Sequence, residues 1–269
     1  AMQDRLFAVP KPKKPIKYKA VTERVWTDRK AEIIARYLSQ FQMVTHHGVY
    51  IDGFAGMHDK PTNWAARLVL EIQPPWLGPF YLIDKDATKI EGMHELASEH
   101  GHRGVTVIRG DCNVEIPRLL ASGAVTYRDA CFALLDQFSF QCHWATVRAL
   151  ATQPKEKYKI ELFYFLAQGW FDRSVAKLGE KRGRLWWGND EWKQLRHIGG
   201  WDRAQIMARR FQRELGYEYA TPWPIYEEGE EGPIAYYMIH ATDHRRGVEL
   251  MESAYQRKVT PMIPTIPMF

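Results

Sequence analysis

Four short apolar runs in the first half of the chain each lead into an aspartate, and this ordered series constrains the fold more than any other feature. Val49-Tyr50-Ile51 runs into Asp52-Gly53, Pro79 to Ile83 into Asp84, Val105 to Ile108 into Gly110-Asp111, and Cys131 to Leu135 into Asp136. Short runs rich in β-branched and aromatic residues and bounded by turn residues suit strands buried on both faces of a parallel sheet. Helical spacing fills the gaps between them. Trp26 to Gln42 sets Ile33, Ile34, Tyr37, Leu38 and Phe41 on one face, with Thr27 or Asp28 placed to cap it. Stretches from about Asp86 to Glu99 and from Asn113 to Leu120 read the same way. Strand alternating with helix predicts a doubly wound α/β domain with helices on both faces of the sheet.

The second half extends this plan. Ile160 to Leu166 reads as a fifth buried strand, after which the chain changes character from Ala167 to Leu215. Trp170, Trp186, Trp187, Trp192 and Trp201 fall there among many Lys and Arg residues, and helical patterning runs from Asp202 to Leu215. This predicts a helical insertion at about 168–215. Its Trp, Lys and Arg mixture around Lys181 to Arg196 suits either packing or stacking on nucleic acid. Tyr217 to Trp223 and Ile234 to Thr242, joined by the acidic loop Glu227 to Gly232, read as strands forming an antiparallel edge, followed by a helix from about Arg246 to Arg257. The expected organisation is a basic arm at 1–25, one domain at 26–260 and an irregular Pro-rich tail at 261–269.

With 269 residues, 45% of them hydrophobic, the chain is long enough to close one large core. No apolar run reaches the roughly 20 residues of a membrane span. With no apolar signal-peptide core behind the basic N-terminal stretch either, a cytoplasmic protein is expected, and Cys112, Cys131 and Cys142 lack the paired spacing of a disulfide framework or zinc site, so reduced thiols and no metal are expected. His143, His240 and His244 likewise lack metal-ligand spacing. The net charge of +5 is concentrated in part in Lys11 to Lys19, KPKKPIKYK, where prolines block a helix and like charges favour an extended arm. Such an arm suits phosphate contacts on a nucleic acid, or is a solvated tail.

In doubly wound sheets ligands bind beyond the carboxyl ends of the strands, where the four aspartates lie. Gly53, Phe54 and Gly56 form a close turn after the first strand, suited to the methionine end of S-adenosylmethionine (SAM), and Asp52 can accept from the ligand's amino group. Asp84, with Asp86 as the alternative, is placed for the ribose hydroxyls. Asp111 and Cys112 are placed beside the adenine. Any one of these aspartates also suits a helix cap. Asp136 ends the fourth strand, where an oxygen acceptor can hold a target amine while Phe138 or Phe140 stacks a base; the same two aromatics also suit a core. The expected catalytic pair is therefore Asp136 and Phe138. Cys142 lacks the Pro-Cys or Thr-Cys context of a thiolate nucleophile and reads as a packing residue.

The pieces WTDRKAEIIARYL, YIDGFAG, RGDCN, LLDQF and YYMIHATDHRRGVELM, spanning Trp26 to Met251, give a family likeness. The chain resembles the three-Cys-motif partner (TcmP) proteins of bacteria and phages. Asp136-Gln137-Phe138-Ser139 stands where that family shows Asp-Pro-Phe-Gly, and Lys60-Pro61-Thr62 where it shows Gly-Ser-Pro. The resemblance implies a Rossmann-like class I methyltransferase fold, SAM as cofactor and a protein partner carrying a three-Cys motif. The reading of the residues adds a SAM-dependent methyltransferase acting on nucleic acid at a base amine. A small-molecule methyltransferase and an adaptor that binds SAM or no cofactor are the alternatives.

Overall fold

In the computed structural model the described residues are 29–57, 61–168, 171, 179–227 and 233–256. The basic arm, the caps expected at Thr27 or Asp28, the irregular tail, Trp170, Lys60 and most of the acidic loop lie outside them. Each of the five expected parallel-type runs is a strand. They are β1 (Gly48–Asp52), β2 (Leu77–Asp84), β3 (Val105–Arg109), β4 (Cys131–Leu135) and β5 (Glu161–Ala167), followed by β6 (Tyr219–Tyr226) and β7 (Ile234–Thr242). The helices are α1 (Lys30–Thr45), α2 (Ala65–Leu70), α3 (Ala87–Glu99), α4 (Cys112–Ala121), α5 (Trp144–Thr152), α6 (Gly179–Trp187), α7 (Gly200–Arg213) and α8 (Arg245–Gln256).

The seven strands form one sheet in the order β3-β2-β1-β4-β5-β7-β6. Pairs among β1 to β5 are parallel, while β7 runs antiparallel to both β5 and β6. This is the Rossmann-like class I methyltransferase topology, with its order reversal between β1 and β4. The antiparallel pair closes the sheet with β6 outermost. Pro222 and Pro224 explain that order: two residues without a backbone donor, at alternate positions of TPWPIY, are tolerated on an edge strand and not inside a sheet.

Successive side chains point to opposite faces, so each central strand feeds two cores. Val49, Ile51, Ala133, Leu135, Leu162 and Tyr164 pack with α4, α5, α6 and α7. Tyr50, Phe132, Leu134, Phe163 and Phe165 pack with the apolar stripe of α1 and with α2, α3 and α8. The described part of the expected insertion at 168–215 is helical, and it has no core of its own. Trp186, Trp187 and Trp192 are fully buried in the first of these cores, and the Trp186 indole donates to the Tyr164 hydroxyl at 2.7 Å. Packing therefore accounts for these three tryptophans, which are closed to a nucleic acid. One cation of the stretch is also used internally: the Arg210 guanidinium lies 3.9 Å from the ring centroids of both Trp144 and Trp187.

Candidate functional site

The carboxyl ends of β1, β2, β3 and β4 bring the four strand-end aspartates to one end of the sheet, and each has a different environment. Asp52 is buried; its carboxylate accepts from the Phe54 N–H at 3.0 Å and from the Tyr50 hydroxyl at 3.0 Å. Burial pushes this carboxyl up to about 7 against the lowering pull of the Phe54 N–H, and the charges of Asp136 and Asp84 add to the rise. Burial and the neighbouring Asp52 likewise push the Tyr50 hydroxyl well above its ordinary range.

Asp84 uses both oxygens to fix the surrounding turns, accepting from the Gly56 N–H at 2.9 Å and from the Asp86 N–H at 2.9 Å. Glycine at 56 is a requirement of this packing. A Cβ there would lie 2.3 Å from Lys89 Cδ and 2.6 Å from Asp84 Oδ2, closer than side chains tolerate. Asp86 caps α3 by accepting from the Thr88 N–H at 3.0 Å, which accounts for it without a ribose. Asp111 caps α4 through the Asn113 N–H at 2.8 Å and also accepts from the Asn113 side-chain amide at 2.7 Å.

A cleft of about 220 Å³ opens at this end, and Gly53, Phe54, Asp84, Asp111, Cys112 and Phe138 line it together with Lys85, Lys89 and Gln141. Asp52, Gly56 and Asp136 lie outside its lining. Phe138 is 61% exposed and stands over the cleft, whereas Phe140 is buried against Phe171 and Trp186. The reason for this division is Gln137. Its buried amide oxygen accepts from the Gln141 N–H at 3.0 Å and the Cys142 N–H at 2.9 Å, and its amide donates to the Phe165 carbonyl at 3.2 Å. Gln137 is thus folded under the loop after β4 and turns Phe138 outward. Asn113 ties the RGDCN turn to the same loop, donating to the Gln141 carbonyl at 2.8 Å and accepting from the His143 N–H at 2.7 Å.

Asp136 is held by Lys30 of α1. The ammonium lies 2.6 Å from one carboxylate oxygen and 2.8 Å from the other, with side chains 20% and 12% exposed, and it also sits about 5 Å from the Phe165 ring centroid. Sequence reasoning placed Asp136 as a free acceptor and missed this cation, because Lys30 is 106 positions away and stands in an ordinary charged run. Gln137 and Asn113 are visible in LLDQF and RGDCN; their bracing roles are not, since each spans two loops.

The three cysteines are buried and free. The Cys142 thiol is pushed well above its ordinary value by its hydrogen bond with Cys112 and by burial, and burial raises Cys131 to about 12. Neither is a thiolate nucleophile at neutral pH. Among the described residues no group of three His, Cys, Asp or Glu side chains could hold a metal ion, and no helix is long and apolar enough to cross a membrane.

The cleft supplies the groups that an adenosine needs, namely carboxylates for hydroxyls and an amine, and an aromatic face. Its volume is below the roughly 300 Å³ at which ligand pockets begin. Lys89 borders the cleft beside Gly56, its Cδ 2.3 Å from where a Cβ at position 56 would stand. No family model matches the chain, and no curated protein matches it. Among solved structures, protein LPL1258 from Legionella pneumophila, described as DUF519, aligns with a TM-score of 0.50 at 9% identity over 86% of this chain and 90% of its own. A SAM-dependent methyltransferase from Agrobacterium tumefaciens aligns at 0.47 and 11% identity over 79% of this chain and 61% of its own. M. jannaschii TYW2, solved in complex with AdoMet, aligns at 0.43 and 12% identity over 79% and 75%. At such identities the likeness to LPL1258 is one of fold alone, and the sheet order of this chain states that fold independently.

Proposed function

We propose that this chain is a SAM-dependent methyltransferase that acts on nucleic acid. The carrying observation is the convergence of Gly53, Phe54, Asp84, Asp111, Cys112 and Phe138 on one cleft at the carboxyl ends of β1 to β4, the ligand end of this sheet order. Asp84 offers its remaining lone pairs to the ribose, Asp111 accepts from the adenine amine, and Asp52 receives the cofactor's ammonium once Lys89 withdraws from Gly56. SAM, when bound, supplies an electrophilic methyl group. Asp136 and Phe138 then face the acceptor, the carboxylate orienting an amine and the ring stacking a base. An incoming amine has to exchange with the Lys30 ammonium, so Lys30 belongs to the acceptor side of the site.

A nucleic acid acceptor is supported by the net charge of +5 and the Lys11 to Lys19 arm. It is also supported by the outward Phe138. The Lys30–Asp136 pair favours a second reading: a carboxylate already neutralised suits an adaptor that binds SAM and a protein with a three-Cys motif without turnover.

Calorimetry with SAM and S-adenosylhomocysteine, followed by labelled methyl transfer to DNA, RNA and metabolite pools, tests the proposal. Binding of both ligands, weakened by Asp84→Ala, with transfer to a nucleic acid that Asp136→Ala abolishes, is the expected result. Removing residues 1 to 19 should reduce the salt slope of nucleic-acid binding by about 0.7 to 0.9 for each phosphate that the arm neutralises. Tight SAM binding without transfer to any pool selects the adaptor. No heat with either ligand removes both SAM readings.

A further inference from the structure

A second cleft, of about 660 Å³, opens at the opposite end of the sheet, against the amino ends of β4 and β5, the carboxyl end of α1 and the first turn of α8. The length of the five-residue strand β1 puts about 16 Å between the two ends. This volume lies within the range of ligand pockets, roughly 300 to 1,000 Å³. Nothing in the proposed methyl-transfer site uses it.

Its walls are built and braced. The loop before β4 meets the loop before β5 through the Glu156 N–H to the Tyr127 carbonyl at 2.8 Å, and the Lys155 ammonium donates to the carbonyls of Thr126 and Asp129 at 2.8 and 3.0 Å. Lys159 pairs with Asp243 at 3.2 Å, which fixes the loop before β5 to the turn after β7. The Tyr158 ring packs edge-on against His244 at 4.7 Å.

The chemistry of the walls is polarised. At the mouth stand Arg128, Lys157 and Arg246, and none of the three forms an ion pair among the described residues. Two of them lie against exposed tyrosines: Arg128 is 5.3 Å from the Tyr127 ring centroid and donates through Nε to the Tyr127 hydroxyl at 2.9 Å, and Lys157 is 5.0 Å from the ring centroid of Tyr158. Of the acids, Asp129 is turned to the Thr126 N–H at 2.6 Å, Glu156 shares the mouth with Lys157, and Glu161 lies at the floor. The Glu161 carboxylate accepts from the Tyr37 hydroxyl and, at 3.0 Å, from the Thr242 hydroxyl, with His240 Nε2 3.4 Å away. An occupant must therefore be anionic at its outer end, planar in its middle and free of negative charge at its inner end.

We infer that this cleft binds one nucleotide unit, with its phosphate on Arg128, Lys157 and Arg246 and its base against Tyr127 and Tyr158. Tyrosine faces accept any base, and guanidinium and ammonium groups suit a phosphate. The same chemistry is presented by a free mononucleotide and by one unit of a single strand. The carboxylate floor excludes the reverse orientation.

The test is calorimetry of the full chain with adenosine, adenosine 5′-monophosphate and a single-stranded adenylate pentanucleotide. The monophosphate or the pentanucleotide should bind, and adenosine should bind at least about tenfold more weakly, because it lacks the charge-assisted contacts. The double substitution Lys157→Glu with Arg246→Glu should weaken the phosphorylated probe at least about tenfold, and Tyr158→Ala about fivefold or more. Lys157→Gln is the milder check, and the Lys157 and Arg246 variants should keep the wild-type unfolding midpoint, since both side chains are exposed. Binding of the monophosphate identifies a free-nucleotide site, and binding of the pentanucleotide alone identifies a strand-binding site; either supports the inference. Because the adenosine cleft at the other end could take the same probes, competition is the control: saturating S-adenosylhomocysteine should leave the affinity of the phosphorylated probes unchanged. The inference is overturned if neither phosphorylated probe binds at about 5 mM, if the mouth variants bind like wild type, or if saturating S-adenosylhomocysteine removes the binding.

Discussion

The two ends of the sheet handle charge differently on the same set of strands. At the carboxyl end, Asp52, Asp84 and Asp136 crowd together, the first two buried, and the protein satisfies them from within: a tyrosine hydroxyl, the backbone N–H groups of Phe54, Gly56 and Asp86, and one lysine. At the amino end, cations without ion pairs among the described residues stand against exposed tyrosines around a wider opening. Crowded acids cost stability and create a demand for cationic ligands or protons, whereas exposed cations cost little and create a demand for anions. If that contrast holds, substitutions at the first end should move stability and those at the second should move only binding.

The largest effect should come from Asp52. Its folded-state value of about 7 lies above the ordinary 3.8, so the folded chain keeps a proton that the unfolded chain has released between those two pH values. Stability should therefore fall as pH rises through that window and level off above it. Asp52→Asn should flatten this dependence, and its stability relative to wild type should rise between pH 4 and pH 8 by a few kcal/mol, at most about 4. Urea unfolding at both pH values measures it, and parallel curves would show that Asp52 is solvated. The same proton links to ligand binding: an ammonium reaching Asp52 should release it, making SAM affinity increase from pH 6 to pH 8.

Next in size is Asp84→Ala. It removes the acceptor of the buried Gly56 N–H and of the Asp86 N–H, and should cost about 2 to 4 kcal/mol in chemical denaturation. A smaller loss, of about 1 to 2 kcal/mol, is expected for Lys30→Met, which leaves the Asp136 carboxylate partly buried without its cation. Adding Asp136→Asn should recover most of it, and a double-mutant cycle on unfolding free energies reads that coupling. Least of all, Lys157→Glu with Arg246→Glu should stay within about 0.5 kcal/mol of wild type. A large destabilisation there would erase the contrast between the two ends.

The fold was legible because its signals are local. Each parallel strand is a short apolar run closed by turn residues, and β1, β4 and β5 appear where the runs of Val49, Cys131 and Ile160 predict them, within two residues at either end. Pro222 and Pro224 also carried a readable signal, the edge position of β6, that the strand expectation left unused. The Trp-rich stretch was ambiguous for a physical reason: tryptophan serves packing and base stacking with the same face, and only burial separates the two.

The sequence by itself determined the element order, the two-faced burial of the strands and the collection of four aspartates at one end of the sheet, because period, turn chemistry and strand direction are written in neighbouring residues. Tertiary structure alone decided what those aspartates do. Asp136 meets Lys30 across 106 positions, Asp84 holds the turn at Gly56, Asp52 keeps a raised affinity for its proton through burial, and Gln137 turns Phe138 outward. Charge pairing and desolvation depend on distances through space, and the chain sets those distances only when its two cores close on the sheet.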